Sequence, residues 1–292
     1  MILLAFLLQT IRIAIPYLLA AAGGVMSERV GVIALGLEGM MLGGAFGAVL
    51  GSYYGGSAWI GLVCAVAAGL FVASLLALCT LRFRADQVVV GIAINLLVIG
   101  ATRFFLRLAF DSASNSPRVD GFGGEGSGLG VMASFSNPLV LLGLLSLPAL
   151  WWLLWRTPFG LRARAVGEKP EAAATLGVNV GALRLRGVLL CGVLASLGGA
   201  YLALDQHQFT DSMTAGRGFI ALAAVIFGRW MPLRVAAACL FFAAAETLQI
   251  QLQGIQLVPS QFVELIPYVL TIVALAGVVG KSVPPAALGK VE

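Results

Sequence analysis

The chain has 292 residues, 60% of them hydrophobic and only 11% charged, with a mean hydropathy of +1.00. A water-soluble globule of that composition would leave far too much apolar surface wet, so the bilayer is its solvent. The net charge of +5 is no argument for nucleic acid, and at ~20 residues per crossing the length is filled by about eight to ten spans, with no second domain expected.

Apolar runs follow one another at 2–22, 30–51, 58–81, 87–106, 138–155, 187–204, 216–228, 235–252 and 262–280. They are too long and uniform for barrel strands, and backbone groups in lipid must be paired internally. The expected fold is therefore an all-α membrane protein, a polytopic helical bundle of about 8–10 transmembrane segments, some broken or re-entrant. Residues 1–22 lack a basic leader and a convincing cleavage site, and read as a first membrane helix rather than a removed signal. The run Val30 to Gly51 is interrupted by Glu38 within Gly36-Leu-Glu-Gly39. The run Gly216 to Gly228 is too short to cross unaided and ends at Gly228-Arg-Trp-Met-Pro232. Interrupted, glycine-rich helices often mark a transport pathway.

Small residues are frequent, as in Gly39-x-x-x-Gly43-x-x-x-Gly47, and let helices approach closely. Gly43-Gly-Ala-Phe46 is echoed by Gly198-Gly-Ala-Tyr201, either by chance or as an internal repeat. Residues 111–136, rich in glycine, read as a flexible outer connection. The four cysteines lie singly in apolar runs, without metal-site or disulfide spacing.

Lysine and arginine fix the orientation, because cytoplasmic loops accumulate them. Placing 156–186 inside gathers Arg156, Arg162, Arg164, Lys169, Arg184 and Arg186 there, and alternation adds Arg29, Arg82, Arg84, Arg229, Arg234, Lys281 and Lys290. Arg12, Arg103, Arg107, Arg118 and Arg217 remain, so thirteen of the 18 basic residues fall on one side. The amino terminus is expected outside and the carboxyl terminus in the cytoplasm.

Among polar residues in apolar surroundings, Glu38 reads as the sole acid well inside the first half. A charge at mid-membrane costs about 2.5–3.5 kcal/mol even on the lenient scale. Glu38 should therefore face protein or a wet cavity: as a hydrogen bond to the backbone break, as a solute or gate contact, or as a proton relay. Gln87 and Asn95 lie eight apart near one helix face; their amides suit hydroxylated or nucleobase ligands, and suit interhelical bonding equally. Arg103 and Arg107 are expected to snorkel to headgroups. Asp205, His207 and Asp211 read as a solvated outer turn or a binding-protein contact rather than a metal site, and Glu246 and Glu264 as structural pairs. Gly277-Val-Val-Gly-Lys-Ser282 lacks the phosphate-loop spacing, because residue 275 is Leu. No catalytic residues, metal ligands or bound cofactor are expected on this chain.

The hydrophilic interlude at about 157–186 stands apart. Pro170 suits a first helical position, Glu171 sits where a helix dipole favours an anion, Ala172 to Ala174 propagate the turn, and Gly177 stops it. A helix of about seven residues and ~10 Å is unstable alone and must pack on something. Its charged flanks and small alanine face favour docking to a separate protein over merely lying on its own bundle.

Four stretches now carry a resemblance: Gly31-Val-Ile-Ala-Leu-Gly-Leu-Glu-Gly-Met-Met-Leu42, Ala85-Asp-Gln-Val-Val-Val-Gly-Ile-Ala-Ile-Asn95, Phe159-Gly-Leu-Arg-Ala-Arg-Ala-Val-Gly-Glu168 and Thr214-Ala-Gly-Arg-Gly-Phe-Ile-Ala-Leu-Ala-Ala224. In this order the chain resembles permease subunits of ABC importers, in the simple-sugar and nucleoside branch related to ribose and branched-chain amino acid permeases. It departs from the family pattern at Ala34, Lys169 and Met231, where Asn is common.

The resemblance implies a single permease domain over 1–292 in a bacterial inner or plasma membrane. It implies a second, non-identical permease, cytosolic ATPases that hold the ATP and Mg, and an extracytoplasmic solute-binding protein. It makes 165–177 the coupling helix, with Ala165, Gly167, Glu168, Pro170, Ala173 and Gly177 in the coupling role. Glu38, Gln87 and Asn95 are the expected solute-path residues, for a nucleoside or simple sugar. An ion-coupled secondary transporter acting alone is the alternative.

Overall fold

The computed structural model describes residues 2–112, 114–122, 137–253 and 283–290. The apolar run at 262–280, with Glu264 and Lys281, lies outside them, as does most of the glycine-rich connection. Among the described residues ten α-helices follow in order: α1 (Ile2–Arg29), α2 (Leu37–Gly55), α3 (Ala58–Ala77), α4 (Gln87–Phe110), α5 (Pro138–Arg156), α6 (Pro158–Glu168), α7 (Pro170–Thr175), α8 (Val180–Asp205), α9 (Arg217–Phe227) and α10 (Pro232–Gln253). A π-helical turn, Leu78–Arg82, extends α3.

Helix starts are written locally. Asp86 accepts from the amides of Val88 and Val89 at 2.9 and 3.0 Å to begin α4, and Asn179 accepts from Ala182 at 2.9 Å to begin α8. Asn137 and Thr157 cap α5 and α6, each followed by a proline whose missing N–H is harmless at a first helical position.

Among the described residues, six helices (α1, α3, α4, α5, α8 and α10) are long and apolar enough to cross a membrane. The two irregular runs become α2 and α9. Helix α2 starts only after an unwound stretch, and α9, with 11 residues, reaches ~16 Å, about half a bilayer. Helix α8 forms the centre: its most apolar window is 78% buried, against 28–44% for the other five spans. Outward faces of α3, α4 and α5 carry Phe71, Leu96 and Trp152, each more than half exposed, as lipid or partner contact requires.

The echoed motifs meet in space. Helices α2 and α8 cross so closely that a Cβ on Gly44 would sit 2.4 Å from Ser196 Cα, and one on Gly199 only 1.8 Å from the Met41 carbonyl oxygen. Dispersion between touching backbones replaces the hydrophobic drive that lipid removes.

Chain direction sorts the ends. The close of α1, the starts of α4, α8 and α10, the close of α9, helices α6 and α7, and residues 283–290 gather at one end of the bundle. Arg29 donates to the Trp230 carbonyl there, and the Ala287 amide to Gly167. The described basic residues assigned to one side by alternation therefore share that end. At the other end, residues 114–119 pair with 207–211 through Ser116 to Phe209, Val119 to His207 and Asp211 to Ser114 backbone bonds of 2.8–2.9 Å.

Candidate functional site: a broken helix and a docking rod

The stretch between α1 and α2 is unwound inside an apolar bundle, so each of its polar backbone groups needs a partner. Gln87 Oε1 accepts from the Ile33 amide at 2.8 Å, and Glu28 Oε1 from the Ala34 amide at 3.3 Å. Asn95 works in both directions, donating to the Leu35 carbonyl and accepting from the Gly39 amide, each at 2.8 Å. Gly31, at φ +93°, permits the turn out of α1.

Glu38 sits in the first turn of α2 and is 6% exposed. One carboxylate oxygen accepts from the Thr214 hydroxyl at 2.6 Å and the Gly216 amide at 2.9 Å, the other from the Gly218 amide at 2.7 Å. Gly216 is the left-handed N-cap of α9 and supplies no side chain. Glu38 thus satisfies the orphan amides at the start of α9 while sitting in the first turn of α2, where both helix dipoles favour an anion. Glu38, Gln87 and Asn95, picked out separately in the sequence, converge on residues 33–39 and on the α9 start they contact.

Further residues, some of them unremarked in the sequence, complete the frame. Glu28, 2% exposed, accepts from the Trp230 indole N–H, so Glu38 is not the sole buried acid of the first half. Arg29 itself donates to the Trp230 carbonyl at 2.8 and 3.0 Å, docking the α9–α10 turn on α1. Glu246 accepts from Arg217 at 2.8 Å and from the Tyr17 hydroxyl, the structural pairing its position suggested.

The outer acidic trio does not assemble. Asp205 pairs with Arg12, Asp211 pairs with Arg103, and His207 Nδ1 lies 3.1 Å from the Val119 carbonyl oxygen. Arg103, expected at the headgroups, holds the Asp211 carboxylate with its side chain still 57% exposed. No group of three candidate metal ligands occurs among the described residues.

At the opposite end, α6 and α7 form the expected interlude. Helix α7 begins at Pro170, carries Glu171 in its first turn and is closed by Gly177 at φ +78°. Its six residues are one fewer than expected. The coupling residues divide by direction. Gly167, Pro170 and Ala173 are buried against the bundle, and a Cβ on Gly167 would lie 2.1 Å from the Arg29 carbonyl oxygen. Ala165, Glu168 and Gly177 face outward. Leu176, missed in the sequence, is 84% exposed at the tip, an apolar side chain with nothing on it. At the start of α7 a pocket of about 340 Å³ is lined by residues 168–172, Ala287 and Lys290. Trp155 underpins the rod, with the guanidinium groups of Arg29 and Arg164 at 5.4 and 5.1 Å from its ring.

Crossing helices, two breaks tied to each other in the interior, and a rod exposed at one end define a polytopic membrane transport subunit. The chain belongs to the family described as branched-chain amino acid transport system / permease component, which its residues 6–275 match. It is 40% identical to the guanosine ABC transporter permease protein NupQ of Bacillus subtilis, over 96% of this chain and 93% of that one. It is 38% identical to the nucleoside ABC transporter permease protein NupC of Lactococcus lactis, over 94% and 92%. A second Bacillus subtilis guanosine permease protein, NupP, is 24% identical over 75% and 66%. The fold also matches an inward-facing metal-chelate type ABC transporter, with a TM-score of 0.55 and 17% identity over 92% of this chain and 85% of that one. The chain is thus the permease component of an ABC transporter, its membrane-embedded and non-catalytic subunit.

Proposed function

We propose that the chain forms half of the translocation path of an ATP-driven importer for nucleosides or simple sugars, fed by an extracytoplasmic solute-binding protein. The similarity to NupQ and NupC supports the nucleoside class. The other half is a second, non-identical permease; Bacillus subtilis has two guanosine permease proteins, NupQ and NupP, that both resemble this chain. The rod end faces the cytoplasm of a bacterial cell, with the carboxyl terminus there and the amino terminus outside, as the gathering of basic residues at that end favours.

One observation carries the mechanism: the rod is wedged against the same turn from which the broken helix departs. Gly167 touches the Arg29 carbonyl, and the unwound stretch leading to Glu38 begins at the next residue. An ATPase seated on Ala165, Glu168, Leu176 and Gly177 pushes Pro170 and Ala173 inward against α6 and α8, and Gly167 against the end of α1. Movement of α1 then displaces the segment held by Gln87 and Asn95, and with it the Glu38 clasp on α9. Packed interfaces of this kind switch between discrete arrangements, here outward-open and inward-open.

In this scheme Glu38, Gln87 and Asn95 serve as gate residues of the solute path, since the bonds they make hold the two breaks, all but the Thr214 hydroxyl being to backbone. The ion-coupled alternative lacks support among the described residues, where the carboxylates of Glu38 and Glu246 are both engaged. The test is uptake by proteoliposomes holding both permeases, the ATPase and the binding protein, offered labelled guanosine, adenosine, ribose and glucose. ATP-dependent accumulation of at least one nucleoside or sugar is expected. Accumulation driven by an ion gradient, without ATP, would contradict the proposal.

A further inference from the structure

At the end of the bundle opposite the rod, a cavity of about 440 Å³ opens between the outer halves of α1, α8 and α10 and the start of α9. Its volume is that of a small-molecule site. Its polar lining comes from Gln9, Arg12, Tyr201, Asp205, Gln206 and Arg217, and the rest is aliphatic. None of these residues belongs to the break or to the rod.

The polar lining is charge-balanced. Arg12 holds Asp205 through two contacts of 2.9 and 3.0 Å, and Arg217 holds Glu246 at 2.8 Å. A neutral ligand therefore meets no uncompensated field. The Arg12–Asp205 pair stays partly open, with side chains 48% and 25% exposed, so the carboxylate keeps lone pairs available for hydroxyl donors. Guanidinium planes also stack on flat rings. Tyr201 is 2% exposed, and its hydroxyl lies beside Arg12 and Asp205 without a well-aligned hydrogen bond to either. A buried hydroxyl short of a full hydrogen bond is rare, and a small turn of the Arg12 guanidinium would free it for a ligand oxygen. Tyr201 closes the second copy of the echoed motif, where the first ends in Phe46. Phe46 packs edge-on against Phe209 and needs no partner, whereas Tyr201 adds the single hydroxyl by which the two motifs differ at that position.

We propose that this cavity is an outer solute station that reads ring hydroxyls of a neutral, hydroxylated ligand, a nucleoside or pentose. The inference rests on the solute class proposed above. Tyr201 and Asp205 engage adjacent hydroxyls of the sugar ring, and the amides of Gln9 and Gln206 take the remaining polar edge. Arg217 ties occupancy to the gate, because it lies between Gly216 and Gly218, the two residues whose amides Glu38 holds.

The test uses the complete reconstituted importer and compares uptake of guanosine with uptake of its 2′,3′-dideoxy analogue. Loss of one neutral hydrogen bond amounts to roughly a two- to ten-fold effect. Tyr201→Phe, which removes one oxygen and keeps the ring, is therefore expected to lower guanosine uptake by about that factor and to shrink the preference over the dideoxy analogue. Gln9→Cys is expected to react with a thiol reagent added from outside, and guanosine or ribose at ~1 mM, a concentration that fills a site of millimolar affinity or better, is expected to slow that reaction.

Wild-type uptake with an unchanged rate and preference in both Tyr201→Phe and Gln9→Ala overturns the station while leaving the importer intact. Failure of Gln9→Cys to react in liposomes, with or without solute, marks a lipid-filled cavity and also overturns it. If wild-type protein accumulates no nucleoside or sugar at all, the solute class itself is wrong and the station falls with it.

Discussion

Glu38 and Gly218 stand 180 residues apart in sequence, yet the carboxylate of one accepts the amide of the other at 2.7 Å. With Thr214 and Gly216 on the same carboxylate, this contact ties the start of one interrupted helix to the start of the other. Neither helix can reposition its amino terminus without the other responding.

Replacing Glu38 by Ala leaves a hydroxyl and two amides without an acceptor in the interior. A hydrogen bond to a charged group contributes about 1.5–3 kcal/mol, so Glu38→Ala is expected to lower the thermal midpoint of the purified complex markedly and to abolish uptake. Glu38→Gln keeps an acceptor oxygen and should retain more of both. A wild-type melting curve for Glu38→Ala would mean that the carboxylate does not hold α9.

Asn95 supports the break from the opposite wall. Asn95→Leu preserves volume but strands the Leu35 carbonyl and the Gly39 amide, at about 1–3 kcal/mol for each unsatisfied group. Asn95→Asp keeps the acceptor for Gly39 and loses the donor to Leu35, so it should fall between. Protease accessibility of residues 31–36 should rise in the same order, and equal accessibility in all three proteins would count against the clasp.

How much of this was legible in the sequence depends on how local each signal is. Helix α7 and its stop are written in Pro170, Glu171 and Gly177, whose preferences act within a turn. The break was legible because Gly36, Glu38 and Gly39 are out of place in an apolar run. The burial of Glu28 was hidden because its partner, Trp230, comes from a turn 202 residues away. Arg103 gave no hint of Asp211, 108 residues on. Alanine is equally at home buried or exposed, so Ala173 and Ala165 looked alike, although one faces the bundle and the other solvent.

The α2–α8 crossing gives a packing test. Gly199→Ala places a methyl group against the Met41 carbonyl, while Gly100→Ala on α4 meets nothing within 4 Å. The first is expected to cost at least the 1–3 kcal/mol (roughly) typical of overpacking and to reduce the yield of monodisperse protein. The second should be silent or slightly stabilising through helix propensity. Equal yields would mean that the crossing is looser than described.

Residues of the rod should separate into two phenotypes. Ala173→Trp inserts a large ring where the side chain is 3% exposed, so it is expected to impair folding and assembly of the permease itself. Leu176→Asp alters only an exposed tip and should leave a folded permease that no longer stimulates ATP hydrolysis. Size-exclusion profiles alongside solute-stimulated ATPase rates distinguish them. Identical behaviour of the two variants would refute the division into inward and outward faces.

The most direct measurement is made at Leu176. With a single cysteine there, cross-linking to a cysteine-bearing ATPase in inside-out vesicles is expected to give a permease–ATPase adduct, with residue 176 closed to impermeant thiol reagents added from the external side. Labelling of that cysteine from outside intact cells, or no adduct at any stage of the ATP cycle, would contradict a rod that carries force from the ATPase to the broken helix.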